Sequence, residues 1–162
     1  MVNKKANAAI IGLGNVGLLF DEDPARIESG EIGWTHFSAY KMLSRYYQLY
    51  AVVDSDPNKL SIIKNKDLEI KCFSNIEELL DNVNKFDIIS ICTPSESHLR
   101  IIQKLKKYQN AIFLEKPISS YCTENELKTF KKQIISNNNP IRVNYYKINE
   151  PSFIKMKKII DL

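Results

Sequence analysis

Six short apolar runs, each separated from the next by a stretch of helical periodicity, constrain this chain more than any other feature. They are AAIIGL (Ala8–Leu13), YQLYAVVD (Tyr47–Asp54), EIKCF (Glu69–Phe73), FDIISICT (Phe86–Thr93), NAIFLE (Asn110–Glu115) and IRVNYY (Ile141–Tyr146). Runs this short and this apolar read as strands buried on both faces, and strands that alternate with helices build a parallel sheet covered on either side. The expected fold class is therefore α/β, a doubly wound parallel sheet. Right-handed crossovers give it the strand order 3-2-1-4-5-6, with the topological switch point beside the first strand.

The stretches between the strands carry their own start signals. DPNKLSIIKNK opens on Asp56-Pro57, and SNIEELLDN offers Ser74 as N-cap with Glu77 three residues on. SESHLRIIQKLKKY places Leu99, Ile102 and Leu105 on one face, and TENELKTFKKQII does the same with Leu127, Phe130 and Ile134. SNNNP reads as a turn before the sixth strand. NEPSFIKMKKII reads as a final helix with Asn149 or Glu150 at its cap, Pro151 in its first turn, and Phe153, Met156 and Ile160 along one side.

Composition narrows the function classes. Of the 162 residues 44% are hydrophobic and 26% charged, enough for one domain with a sizeable core. No apolar run approaches the roughly 20 residues needed to span a bilayer, and MVNKK precedes too short an apolar stretch for a signal peptide. The expectation is a soluble, cytoplasmic protein that does not engage a membrane. The net charge of +4 comes mainly from lysines at helical spacing, with only four arginines in the chain. Solvated helix faces explain that better than a nucleic-acid patch, and no nucleic-acid partner is expected. Cys72, Cys92 and Cys122 form no CxxC pair, so the spacing implies neither a metal site nor a disulfide framework.

Against that background the turn after the first strand acquires a chemical meaning. Gly12, Gly14 and Gly17, with Asn15 and Val16 between them, fit G-x-G-x-x-G. The first glycine allows the tight turn, the second lets backbone N–H groups approach a pyrophosphate, and the third brings helix against strand. Asp54, at the end of the second strand, stands where a carboxylate would hold the adenosine ribose hydroxyls, though it comes later in the chain than usual. The excess is explained if FDEDPARIESGEIGWT (residues 20–35) is an insertion, with the first helix resuming at HFSAYKMLSRYY. Thr35 is then a candidate N-cap and His36 the start of a helix. Trp34 either packs under the inserted loop or closes over the cofactor. A carboxylate at Asp54 repels a 2′-phosphate and Ser55 beside it carries no positive charge, so NAD is expected rather than NADP.

GLGNVG, THFSAY, VVDSDPNK, CTPSESH, EKP and VNYYKINEP, in this order, resemble the N-terminal half of the Gfo/Idh/MocA family, the glucose-fructose oxidoreductase, inositol dehydrogenase and rhizopine-catabolism proteins. The resemblance implies an NAD-dependent dehydrogenase that moves a hydride between a nicotinamide cofactor and the CH–OH carbon of a sugar, cyclitol or related compound. It places Thr93 and Pro94 along the cofactor with Ser95 and His98 nearby. Glu115 faces the nicotinamide ribose, and Lys116 is the catalytic group at the substrate hydroxyl. From the residues alone, Lys116 also reads as a solvated lysine ahead of Pro117, and His98 as a surface helix residue. The family commonly has two consecutive basic residues where this chain has Lys147-Ile148. Family members also continue into a second, substrate-binding domain. The resemblance therefore implies a dinucleotide-binding domain over residues 1–148 and, over 149–162, the start of a linker helix to a domain that this chain lacks. Implied partners are a sugar-like small molecule and either a homo-oligomer or a chain that supplies the missing half; until one does, the expectation is NAD(H) binding with little turnover. The reading from another class is a stand-alone NAD(H)-binding module with a sensing or partner-binding role.

Overall fold

A computed structural model describes residues 4–31, 33–83, 85–108, 111–136 and 140–160. Six parallel strands, β1 (Ala6–Ile11), β2 (Tyr47–Val53), β3 (Lys71–Phe73), β4 (Ile88–Ile91), β5 (Ala111–Leu114) and β6 (Ile141–Val143), form one sheet in the order β3-β2-β1-β4-β5-β6. This is the expected doubly wound order. β2, β4, β5 and β6 end before their apolar runs do, because the last residues of those runs leave the ladder to form the turns above it; β1 is as long as its run but lies two residues earlier, and β3 lacks the first two residues of its run. The SNNNP turn falls largely on residues 137–139 and the fifth run begins at Asn110, both outside the described residues, as are the leader residues 1–3.

Alternate residues of the strands feed two cores. Ala9, Ile11, Ile89, Ile91, Ile112 and Leu114 face one layer, and Ala8, Ile10, Leu49 and Val52 the other. The pairing of β1 with β2 shifts register between Ala8 and Ala9, which skips Tyr50. Tyr50 and Ala51 consequently face the same layer, as a bulge requires.

The first core is covered by α4 (Ile76–Asn82), α5 (His98–Leu105) and α6 (Glu124–Ser136), and the second by α2 (His36–Met42) and α3 (Pro57–Lys66). A short α1 (Pro24–Glu28) lies in the inserted segment, and α7 (Pro151–Ile160) closes the described chain. Asp56 caps α3 by accepting from the Asn58 N–H, with Pro57 in the first turn, as its sequence predicts. The cap of α4 sits one residue later than expected. Asn75 Oδ1 accepts from the Glu78 N–H while Glu78 accepts from the N–H and hydroxyl of Ser74, so the reciprocal pair is built on Glu78, not Glu77. Leu99 is half-buried, and Ile101 joins Ile102 and Leu105 in the core. On α6 Phe130 is buried but Leu127 is exposed, and the side chain of Ile134 lies outside the described residues. Every residue of α7 is exposed, including Phe153, Met156 and Ile160; the Glu150 carbonyl accepts its first backbone hydrogen bond, from Ile154.

Candidate functional site at the strand ends

The sheet's own hydrogen bonds continue beyond its strands and hold the site. The Gly12 N–H donates to the Val53 carbonyl (2.8 Å), Cys92 to Ile11 (2.7 Å), Glu115 to Ile91 (2.9 Å) and Asn144 to Leu114 (2.8 Å). The first residues past β1, β4, β5 and β6 are thus locked in line along one edge, the carboxyl edge where open α/β sheets bind ligands.

Of the glycines at that edge, two have no room for a side chain and one opens outward. Gly12 has φ +96°, and a Cβ there would lie 2.8 Å from the backbone of Cys92 and Thr93. A Cβ on Gly17 would lie 2.1 Å from the Gly12 carbonyl oxygen. Around Gly14 nothing lies within 4 Å of the Cβ position, so this turn presents bare backbone to open space at the switch point. A pyrophosphate fits such a cradle, and a side chain at Gly14 would fill it. Asn15 is exposed and Val16 half-buried beside it.

No regular helix follows the glycines directly. The Leu18 and Leu19 N–H groups both donate to Gly14 and Phe20 donates to Asn15, forming a wide turn that ends in a 3-10 turn at Leu19–Glu22. The helix resumes at α2, whose His36 and Phe37 N–H groups donate to the carbonyls of Val16 and Gly17 (2.9 and 3.1 Å). The intervening residues are looped out of an otherwise nearly continuous helical course. Asp21 ties off the loop by accepting from the Trp34 and Thr35 N–H groups (both 3.0 Å) and the Thr35 hydroxyl. Thr35 caps α2 by accepting from Ser38.

Asp54 lies behind the glycine turn. Its Oδ2 accepts from the Leu13 N–H (2.7 Å), its Oδ1 from the Asp56 N–H (2.9 Å), and Lys59 Nζ approaches both oxygens at 3.4 Å. The carboxylate therefore joins β2 to the turn. Lys59, not Ser55, supplies positive charge at this strand end.

Past β4, the Thr93 hydroxyl accepts from Ser97 (2.7 Å), and the Ser95 hydroxyl pairs with Ser120. His98, by contrast, is not at the surface. It is wholly buried, with Nε2 2.8 Å from the Thr93 carbonyl and Nδ1 3.0 Å from that of Pro117. It fastens the CTP turn to the EKP turn, so it is not the surface helix residue that the residues alone suggest. The nearby Cys92 is buried too. That burial, with the Glu115 charge close by, pushes its thiol well above the usual range.

Glu115 is held by residues distant from it in the chain. His36 Nε2 stands 2.9 Å from Glu115 Oε1, to which Asn144 Nδ2 also donates at 2.6 Å. His36 Nδ1 is 3.0 Å from the Ser90 hydroxyl, itself 2.9 Å from the Tyr40 hydroxyl. A neutral His36 with its proton on Nε2 satisfies the whole chain: Tyr40 donates to Ser90, Ser90 to Nδ1, and Nε2–H to the carboxylate. Burial pushes the Glu115 carboxyl up, but the hydrogen bonds from His36 and Asn144 outweigh it and hold the group below its ordinary value. Burial takes the Tyr40 hydroxyl to about 12, so it remains a donor.

These groups open onto a cavity of about 710 Å³ whose wall includes Trp34, His36, Glu115, Lys116, Asn144 and Tyr146. Lys116 is exposed on that wall. Trp34 is 59% exposed and lines the cavity, so it does not pack beneath the loop. The site combines a bare-backbone cradle, a fixed carboxylate and an accessible amine. It can hold a dinucleotide along the strand ends and offer a proton-transfer group beside it. Among the described residues no three His, Cys, Asp or Glu side chains converge as metal ligands, and no helix is long and apolar enough to cross a membrane.

Comparison with known proteins points the same way. Residues 27–145 match the family model described as the oxidoreductase family with NAD-binding Rossmann fold, GFO_IDH_MocA. Inositol 2-dehydrogenase of Rhizobium meliloti (strain 1021) is 27% identical over 134 residues, which cover 82% of this chain and 38% of that protein. The crystal structure of myo-inositol 2-dehydrogenase from Lactobacillus plantarum superposes with a TM-score of 0.70 at 27% identity, over 98% of this chain and 41% of that one. Scyllo-inositol dehydrogenase from Lactobacillus casei, solved with NAD(H) and scyllo-inositol, gives 0.70 at 21% identity over 98% and 41%, a likeness of fold. This chain therefore spans about two fifths of the length of these relatives.

Proposed function

We propose a function that starts from the family: the chain belongs to the Gfo/Idh/MocA oxidoreductases and has their NAD-binding Rossmann fold. We read it as the cofactor-binding half of a cytoplasmic NAD-dependent dehydrogenase that acts on the CH–OH group of a sugar, cyclitol or related compound. The observation that carries the reading is the open space over Gly14 at the switch point, on the same carboxyl edge of the sheet from which Glu115 and Lys116 reach a cavity.

In this reading the nicotinamide, when bound, accepts or returns a hydride, and the chain's own residues position and deprotonate. Backbone N–H groups of residues 14–17 cradle the pyrophosphate. Asp54 accepts from the ribose hydroxyls, and Thr93, Pro94 and Ser95 flank the cofactor past β4. Glu115, ionised and fixed by His36 and Asn144, faces the nicotinamide ribose. Lys116 hydrogen-bonds the substrate hydroxyl and takes up or returns its proton as the carbon changes oxidation state.

Calorimetric titration of the protein with NADH and with NADPH, repeated on Gly14→Val, tests the cofactor part directly. NADH is expected to bind, NADPH more weakly because of the Asp54 carboxylate, and the valine to abolish binding. Failure of NADH to bind, or binding that the valine leaves intact, overturns the reading.

A further inference from the structure

The looped-out segment brings a second cation to the cavity. Arg26, on α1, has its guanidinium carbon 4.7 Å from the Phe20 ring centroid and 5.7 Å from that of Trp34. All three line the same cavity as Lys116. The segment is anchored rather than loose: Asp21 holds its far end, Asp23 caps α1 by accepting from Ala25, and Glu22 pairs with Lys66 of α3 at 3.0 Å.

A guanidinium presents five N–H donors in a plane, a geometry that matches a carboxylate or phosphate held by two parallel hydrogen bonds. Here aromatic rings restrain the group, yet among the described residues its donors are unsatisfied. Its one ionic partner is Glu31 at 3.8 Å, beyond hydrogen-bond reach, and that carboxylate is itself more than half exposed. Glu31 also lines the cavity. It thus stands loosely where an incoming anion would bind.

We propose that Arg26 is a specificity-determining anchor for an anionic substrate, a sugar acid whose carboxylate displaces Glu31 while its hydroxyl reaches Lys116. The proposal rests on the reading of this cavity as the substrate side of an NAD site. Phe20 and Trp34 hold the guanidinium in place, and their faces also suit the C–H surface of a sugar ring. The pyrophosphate of the cofactor is the other anion the site could meet, but it belongs over Gly14, whereas Arg26 shares its cavity with Lys116 and Glu115.

The test is a calorimetric titration of the NADH-saturated protein with D-glucuronate and, separately, D-glucose, for the wild type, Arg26→Gln and Glu31→Gln. Glucuronate is expected to bind about tenfold or more tightly than glucose, as a charge-assisted bidentate contact implies. Arg26→Gln should erase that preference and Glu31→Gln should strengthen it, with NADH affinity unchanged in both. Equal affinity for the two sugars, no measurable glucuronate binding, or a preference that survives Arg26→Gln overturns the proposal. So does a loss of NADH affinity in Arg26→Gln without a change in sugar preference, because the anion is then the cofactor's. If wild-type NADH binding fails, the cofactor reading falls, and the same titrations without cofactor still decide the anchor.

Discussion

Replacing Gly17 and Gly14 by alanine, one at a time, should separate the glycine that shapes the turn from the glycine that admits the ligand. At Gly17 the new methyl would sit 2.1 Å from the Gly12 carbonyl oxygen and 3.1 Å from Leu13 Cα. Comfortable contact begins near about 3.5 Å, so roughly 1.4 Å must be found. The obstacle is backbone and cannot rotate aside. Gly12 is itself pinned by its bond to Val53 and by close approach to Cys92 and Thr93. Overpacking of this kind costs about 1–3 kcal/mol, and the rigidity here puts Gly17→Ala at the upper end. For a chain of this length that is a fall in melting temperature of roughly 6–12 °C. At Gly14 the methyl meets nothing within 4 Å, and the residue is not among the positive-φ glycines. Its stability should stay within about 0.5 kcal/mol of wild type. NADH affinity should move the other way, lost in the well-folded Gly14→Ala. Thermal unfolding by circular dichroism, paired with NADH calorimetry, reads both. A Gly17→Ala protein that melts within about 2 °C of wild type would falsify the packing argument.

Three further outcomes follow from the strand ends. Asp54→Ser removes the carboxylate and leaves Lys59, now without the partner it approaches at 3.4 Å, so the ratio of NADPH to NADH affinity should rise by about tenfold or more; an unchanged ratio in calorimetry speaks against Asp54 at the ribose. Glu115 has a folded pKa below its ordinary 4.5, so its stabilisation is fully present above that value and is lost as pH falls through the depressed folded one. The gap in melting temperature between wild type and Glu115→Gln should accordingly narrow below about pH 4.5, and a gap that widens on acidification contradicts the assignment. Cys92 should resist iodoacetamide at pH 8 in the native protein and react only after unfolding, which peptide mapping by mass spectrometry would detect.

What was legible in the sequence is what local pattern controls. The six strands and their order follow from apolar runs and crossover handedness. The caps at Asp56 and Thr35 follow from residue type and position, and the insertion shows as excess length between the glycines and Asp54. What was not legible depends on partners distant in the chain. His36 and Glu115 are 79 residues apart and meet only because α2 starts against the glycine turn while β5 ends two strands away. One signal was present: Ser90 is a lone hydroxyl inside an apolar strand run, and a buried hydroxyl needs a partner. His98 does not read as a buried residue from its helix pattern, because the start of α5 turns the imidazole inward onto two carbonyls that lie 5 and 19 residues away in the chain. Ser74 and Asn75 are both good caps, and the choice between them falls to Glu78, whose carboxylate can reach back to Ser74 only if the helix starts after Asn75.

The site divides into two parts with different physical origins. Gly12, Cys92, Glu115 and Asn144 each extend the sheet's ladder by one hydrogen bond, so their positions are inherited from a core that cannot shift without breaking β-pairing. His98 then ties two of the turns together, and His36 and Asn144 clamp Glu115. A cofactor common to a family is suited to such a frame because its geometry need not vary. Residues 20–35 obey no such constraint. They leave and rejoin one helical course at Val16–Gly17 and His36–Phe37, so their length and content can change without moving a strand. Within them lie Arg26, Glu31 and Trp34, which reach the cavity from outside the sheet. The Arg26 and Gly14 variants probe the two parts separately: if the proposed roles hold, Gly14 should govern the cofactor alone, and Arg26 the anion alone.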